Sequence, residues 1–499
     1  MLAADLTLTS PLAADRDGGR PLLALTIVWH PDPSRIGEQC TLPFADQAFE
    51  ISRYLPAFSR PGGEAQSLGY GGISRDPVRI VADGERYRVT APDSRMVTEL
   101  NGAEIRGDAL LTHAQIEAGA MLGLGRAVLL CIHWMRCLPK DNPVPGLLGV
   151  SSVAIGVRDQ IRQAARTDAP VLLLGETGTG KEVAARAVHT LSRRSDIPLV
   201  TVNMAALNEA LAAADLFGAA KGAYTGAQEA RKGLFAEAAG GTLFLDEIGN
   251  APSAVQPMLL RVLESGDYRP LGAQRDERAD VRLIAATDQD LYGPSFNQPL
   301  LRRLESLVIE LPPLRARRED IGVLMRALLA ASEADGGPIV ALPFAFVSAC
   351  ACHDWPGNVR QLAHVLKRAV LGLRHGQQPP STLLAGARAA RPEESAAAPS
   401  AVAAPRRKLA DIGEQEVLAA MEQNDWYIQG AALALGVSRP SMYKLLEAHP
   451  QVRRPEQIAV DELRQVLEAC GGDVETCAAR LRTPSEALRR YLRTLGLAA

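Results

Sequence analysis

A chain of 499 residues is too long for a single hydrophobic core and predicts three or four domains. At 47% hydrophobic and 22% charged, the composition is that of a folded soluble protein. A net charge near −3 excludes a globally basic nucleic-acid binder, so any DNA-binding surface has to be local.

Residues 1–20 read as a loose leader, with Asp5 and Asp15 where a secretory signal would be basic and then apolar. From 21 to 140, short runs such as Ala24–Val28, Val78–Val81 and Ala127–Ile132 are split by Pro, Gly, Asn and Asp, which predicts a β-sandwich. The apolar run Val128–Leu138 is too short and interrupted to span a membrane. Between 147 and 312, buried-strand candidates (Val171–Leu174, Leu199–Val202, Thr242–Leu245, Val281–Ala286) alternate with helical stretches, the pattern of a parallel sheet covered by helices. Residues 313–376 read as helical, and 377–408 as an Ala/Pro-rich linker. The remainder is helical and repeats: a shift of 46 positions lays Val417 on Leu463, Met421 on Leu467, Leu435 on Leu481 and Leu446 on Leu492, which implies two similar small units, 409–450 and 458–499. The seven cysteines follow no framework, and neither Cys350 with Cys352 nor Cys470 with Cys477 has zinc-site spacing; reduced thiols in the cytoplasm are expected.

Chemistry concentrates in two places. Gly175-Glu176-Thr177-Gly178-Thr179-Gly180-Lys181 follows the strand Val171–Leu174 and precedes a helical run, the setting a phosphate-binding loop needs. Its glycines let backbone N–H groups curl around phosphate oxygens, and Lys181 reaches the β/γ-phosphates of ATP. Glu182 stands where Ser or Thr normally holds magnesium. The strand Leu243–Leu245 delivers Asp246 and Glu247 at its C-terminal end, where ligands bind in open α/β sheets. Asp246 is the expected Mg2+ ligand, directly or through water, and Glu247 the group that polarises the attacking water.

On these motifs the stretch 147–373 resembles the sigma-54-dependent activators, the bacterial enhancer-binding proteins of the AAA+ class. The resemblance covers Glu182, which that family shares, and Lys221-Gly222-Ala223-Tyr224-Thr225-Gly226-Ala227, similar to the family's sigma-54 contact loop with Tyr224 in place of the usual Phe. It implies that Asn203 switches the catalytic glutamate, that Thr287 belongs to sensor I, and that Arg360, in Trp355–Leu362, senses the γ-phosphate. Three positions depart: Ala219 and Ala220 replace a His-Glu pair, Asp288 replaces the sensor I Asn, and Asn297 stands where the first trans-acting arginine is usual. Arg303 matches the second such arginine, with Arg302 adjacent. Arginine fingers stabilise the phosphoryl transition state, so a missing one predicts slower turnover.

The β-rich segment resembles a forkhead-associated domain, through Gly37, Ile73-Ser74-Arg75, Asn101-Gly102 and Gly123-Leu124-Gly125. The resemblance implies a phosphopeptide site at Ser74, Arg75 and Asn101, although Glu38 replaces the usual Arg and would repel phosphate. Residues 428–446 resemble a Fis-type helix-turn-helix, with Arg439, Ser441, Tyr443 and Lys444 meeting double-stranded DNA. The second repeat carries Arg480, Arg482, Arg489, Arg490 and Arg493 and is expected either to read DNA or to dimerise.

The expectation is thus a multidomain cytoplasmic regulator without membrane contact: a β-sandwich, an AAA+ ATPase with helical lid, and a tandem helix-turn-helix tail. ATP and Mg2+ are its cofactors. The partners are sigma-54 RNA polymerase, enhancer-like DNA, a phosphoprotein or other protein at the N-terminal domain, and copies of itself in a hexamer assembled from monomers or dimers. The alternative is a DNA-binding regulator or scaffold with a weak or vestigial ATPase.

Overall fold

The computed structural model describes residues 21–41, 48–223, 229–293, 296–334 and 340–379, and an interrupted set between 413 and 494. The chain divides into two compact units, Met1–Arg391 and Pro392–Ala499.

Among the described residues the first unit opens with ten strands: β1 (Leu22–Trp29), β2 (Gln39–Thr41), β3 (Phe49–Ile51), β4 (Val78–Asp83), β5 (Arg86–Thr90), β6 (Thr98–Leu100), β7 (Ala103–Ile105), β8 (Asp108–Thr112), β9 (Ala120–Leu124) and β10 (Val128–Met135). They form two antiparallel sheets, one ordered β2-β1-β10-β9-β6-β7 and one ordered β3-β4-β5-β8. Alternate residues of both sheets, among them Leu25, Ile27, Val78, Ile80, Val89, Leu122 and Leu130, close one core between them. A short helix, α1 (His113–Glu117), enters through a capping box between Thr112 and Gln115.

The next segment carries helix α2 (Ser152–Ala165), then β11 (Val171–Leu174), α3 (Lys181–Thr190), β12 (Leu199–Asn203), α4 (Ala212–Phe217), α5 (Leu234–Glu237), β13 (Thr242–Asp246), α6 (Gln256–Ser265), β14 (Asp267–Tyr268), β15 (Glu277–Arg278), β16 (Arg282–Thr287), α7 (Gln298–Leu304) and β17 (Leu307–Glu310). Strands β12-β13-β16-β11-β17 make one parallel sheet. Its two faces are buried under separate helical layers, which is why its strands read as unbroken apolar runs. Three helices follow: α8 (Ile321–Ala334), α9 (Phe344–Cys352) and α10 (Asn358–Arg374).

These last helices do not stand apart from the first sheets. Val28, Met121, Leu129 and Cys131, on the outer face of the six-stranded sheet, share one core with Leu314, Ile321, Met325, Phe346, Val347 and Trp355. That is why β10 is apolar on both faces: one side meets its partner sheet, the other the helices. Gly322 makes the approach possible, since a Cβ there would lie 2.0 Å from the Val28 carbonyl oxygen. Within this contact the His133 ring faces Glu319, with Nδ1 3.8 Å from the carboxyl. Burial drives both toward neutrality, pushing Glu319 up to about 8 and His133 down to about 4.

The second unit contains α11 (Glu414–Gln423), α12 (Val460–Ala469), α13 (Val474–Leu481) and α14 (Ser485–Thr494). Residues related by the repeat, such as Val417 and Leu463 or Leu446 and Leu492, lie in one common core. The Ser485 N–H donates to the Trp426 carbonyl, 3.0 Å, across the two copies.

Candidate functional site

The parallel sheet brings the motif residues together. Leu174 is in register with Thr287, and Asn203 with Asp246, so the C-terminal ends of four strands emerge along one edge. Between β11 and α3 the loop folds back on itself: the Thr179 hydroxyl donates to the Glu176 carbonyl, 2.8 Å. Gly178 and Gly180 take positive φ. Lys181 Nζ donates to the carbonyls of Gly175 and Glu176, 2.7 and 3.2 Å. Burial lowers its pKa, while the charges of Asp288, Asp246 and Glu247 act to raise it. All three carboxylates are therefore felt at the lysine.

Asp246 accepts the Glu247 N–H at 3.0 Å through Oδ1. Glu247 adopts a left-handed backbone, φ 53°, as β13 turns into a tight 3-10 turn, and its Oε2 accepts from Asn250 Nδ2 at 3.2 Å. The Thr287 hydroxyl accepts the Gln289 N–H, 3.0 Å. Asp288, the acid in the sensor I position, accepts from the Thr177 hydroxyl at 2.6 Å. A cavity of about 270 Å³ opens beside this edge, lined by Gly175, Glu176, Thr287, Asp288, Tyr292 and Glu305 among others.

The helical segment closes over the loop. Arg315 grips Glu176 with two hydrogen bonds, 2.9 and 2.5 Å, and Asn358 adds a third at 3.1 Å. Arg315 first, then Asn358, hold the Glu176 carboxyl down to about 2. Buried Asn358 also donates to the Thr177 carbonyl and accepts the Leu314 N–H, while the Val359 N–H donates to the Gly178 carbonyl. Arg317 reaches the Thr179 carbonyl. Arg360 is exposed on the first turn of α10, close enough to Lys181 for its charge to lower the lysine pKa.

Other expected residues lie elsewhere. Glu182 is exposed and pairs with Arg186 one turn on, 2.8 Å. Asn203 Oδ1 accepts the Ala205 N–H at 2.9 Å. Arg302 and Arg303 are exposed on α7, paired with Glu305 and Glu264 at 3.4 and 3.3 Å. Asn297 caps that helix, its Oδ1 accepting the Leu300 N–H at 3.0 Å. Gly222 and Ala223 are described; Tyr224, Thr225, Gly226 and Ala227 lie outside the described residues, as do Arg439, Ser441, Tyr443 and Lys444. The base of the Gly222 loop is clamped by reciprocal backbone bonds between Ala219 and Arg231, 3.0 and 2.9 Å, and by an Arg231–Asp215 ion pair. Phe217 beneath it stacks on Phe235 at 5.1 Å.

The phosphopeptide trio is not assembled. Asn101 turns its Oδ1 onto the Met121 N–H near the start of β9. Ser74 lies by Met96 and Gly72 by Gly125, beyond the other end of the same strand. Four residues of strand put about 13 Å between the two places. Nor is Glu38 a free negative charge: Arg35 neutralises it at 2.6 Å.

Asn358 lies within the motif Trp355–Leu362, whereas no local sequence pattern marks Asn250 or Arg315 for these contacts. Asp246 keeps one carboxylate oxygen beyond its bond to Glu247, so the donor set suits a hard cation with a nucleotide's phosphates. Among the described residues no cluster of three or more His, Cys, Asp or Glu could form a separate metal site, and no helix is long and apolar enough to cross a membrane.

Residues 147–310 match the family model described as the Sigma-54 interaction domain, and 315–399 match the AAA+ ATPase lid domain. The transcriptional regulatory protein ZraR of Salmonella typhimurium is 39% identical over 302 residues, 60% of this chain and 67% of that protein. The response regulator protein PilR of Pseudomonas aeruginosa is 38% identical over 314 residues, 62% of this chain and 70% of that one. The structure of NtrX from Brucella abortus in complex with ATP aligns with 71% of this chain and 70% of its own, at 26% identity and a TM-score of 0.45. Neither family model extends to the N-terminal sheets or the C-terminal helices.

Proposed function

This chain belongs to the sigma-54-dependent transcriptional regulators, whose central domain is an AAA+ ATPase, and we propose that it couples ATP hydrolysis to remodelling of the sigma-54 RNA polymerase closed complex. The observation that carries the reading is the presence of two features in one subdomain. A phosphate-binding loop and an acidic strand end lie on the edge of its sheet, and Ala219 and Arg231, which flank the Gly222 segment, are clamped together within the same sigma-54 interaction match.

In this reading Gly175–Lys181 cradle the triphosphate through backbone N–H groups and the Lys181 ammonium, and Asp246 holds Mg2+, which supplies charge neutralisation at the transferring phosphoryl group. Glu247 orients and polarises the attacking water. Arg360 reports the γ-phosphate to the lid. Asn358 and Arg315 tie that lid to the loop, so a change at the phosphates reaches the helices. Residues Gly222–Ala227 engage sigma-54. Arg302 or Arg303, exposed on α7, reaches a neighbouring subunit's nucleotide in a ring, most simply a hexamer. The C-terminal repeats act as a Fis-type tandem that holds the protein on enhancer-like DNA.

The N-terminal sheets serve as a forkhead-associated-like module that acts by bearing on the lid. The separation of Asn101 from Ser74 and Arg75 removes support for phosphothreonine recognition by that trio. A second reading, a DNA-bound regulator with weak turnover, is favoured by Asn297, whose side chain caps its own helix where a finger is usual.

Open-complex formation on a sigma-54 promoter, with ATP and with Thr225→Ala, tests the main reading. Loss of activation with ATPase retained supports it; activation equal to the wild type removes it.

A further inference from the structure

We infer that Asn250 is the positioning residue for Glu247, and that Gln289, just beyond β16, steadies its amide by donating to the acceptor end. The inference rests on the reading of Glu247 as the group that polarises the attacking water.

The geometry begins with the turn after β13. Ile248–Asn250 form a 3-10 turn with Glu247 as its cap, and the Asn250 N–H donates to the Glu247 carbonyl, 2.9 Å. This bond closes the turn and brings residues 247 and 250 together. The amide of Asn250 then bridges two partners: Nδ2 donates to Glu247 Oε2 at 3.2 Å, and Oδ1 accepts from Gln289 Nε2 at 2.9 Å. An amide has one donor end and one acceptor end. The Glu247 carboxylate only accepts, so it takes the donor end of Asn250, and Gln289 Nε2 fills the acceptor end that remains.

Gln289 is itself anchored, its N–H on the Thr287 hydroxyl. The strand end reaches this close because residue 249 is glycine: a Cβ there would lie 2.9 Å from Gln289 Oε1 and 3.0 Å from Thr287 Oγ1. The Glu247 carboxylate bonds Asn250, while Asn203, the switch residue expected from the resemblance, accepts the Ala205 N–H through Oδ1. The result is a path of neighbours. Thr177 of the phosphate-binding loop bonds Asp288; Gln289 follows Asp288 in the chain; Asn250 joins Gln289 to Glu247. A displacement of the loop by nucleotide reaches the carboxylate through the end of β16.

Gln289→Glu is the informative substitution. A carboxylate cannot donate to Asn250 Oδ1 but attracts Nδ2, so the amide turns over and Glu247 loses its donor. Gln289 is exposed, so this variant folds irrespective of what Asn250 substitutions do. The experiment is steady-state ATP hydrolysis by the full chain, with affinity for a fluorescent ATP analogue measured alongside. Wild-type turnover reports separately on the hydrolytic reading. Asn250→Ala, the near-isosteric Asn250→Asp, and Gln289→Glu each lower kcat about tenfold, the worth of one hydrogen bond, with KM and analogue affinity within about twofold. Gln289→Glu adds less than about twofold in the Asn250→Ala background. A kcat within about twofold of wild type for Asn250→Ala, or a full Gln289→Glu effect without Asn250, overturns the inference.

Discussion

The Thr177 hydroxyl donates to the Asp288 carboxylate at 2.6 Å, tying the phosphate-binding loop to the end of β16. Asp288 also contributes to the field at Lys181. A negative charge in that place opposes a triphosphate. Asp288→Asn keeps the acceptor and removes the charge, so ATP affinity should rise several-fold, by roughly 1 kcal/mol, with little change in Tm. Titration with a fluorescent ATP analogue measures it; equal affinity means the charge is screened from the phosphates.

Asn297 caps α7, and Arg in its place forfeits that cap at a cost of about 1 kcal/mol. The Asn297→Arg variant should therefore melt a few degrees lower. If the residue faces the neighbouring subunit's nucleotide, ATPase per subunit at high protein concentration should rise at least about tenfold. A lower Tm with unchanged turnover at every concentration would place Asn297 away from the subunit junction.

Gly322 lies under Val28, and Gly322→Ala puts a methyl group 2.0 Å from a carbonyl oxygen. Backbone has to move, so a destabilisation of about 1–3 kcal/mol is expected. Because the contact joins the first sheets to the helices, limited proteolysis should then cut near 139–147 in the variant faster than in the wild type. Equal cleavage rates would mean the docking survives the methyl.

Glu319 carries the pH dependence of that same contact. Its carboxyl is raised from 4.5 to about 8, first by burial and then by Asp320, so the folded state holds a proton the unfolded chain releases. Stability is fullest below about 4.5 on this account, falls by up to about 1.4 kcal/mol per pH unit as pH rises, and levels off above about 8. His133 acts oppositely: burial lowers it from 6.5 to about 4, so its cost appears only as pH falls below 6.5. Between about pH 6.5 and about pH 8 the carboxyl dominates, and Tm should drop. Glu319→Gln should flatten that drop; a variant with the wild-type slope would show that another group is responsible.

The motifs of the nucleotide site are legible in the primary structure. A phosphate-binding loop works through consecutive backbone N–H groups, and an acidic strand end through its place on a parallel sheet. Both are local requirements that leave a local signature at Gly175–Lys181 and Asp246–Glu247. The parallel sheet was legible for the same reason, from apolar runs alternating with helical stretches. The repeat in the tail was legible as matched apolar positions, though not that both copies share one core.

Which polar groups meet depends on how the chain folds. Asn101 and Ser74 sit in recognisable turns, yet they lie toward opposite ends of β9. Asn250 and Gln289 are unremarkable in sequence, and they touch because Gly249 lets two strand ends close up. The docking of the first sheets on the helices could be glimpsed only as an apolar run at β10 longer than one buried face needs. Hydrogen-bond partners 39 residues apart, such as Gln289 and Asn250, depend on side-chain direction at contacts that chain folding brings together, and no local pattern records them.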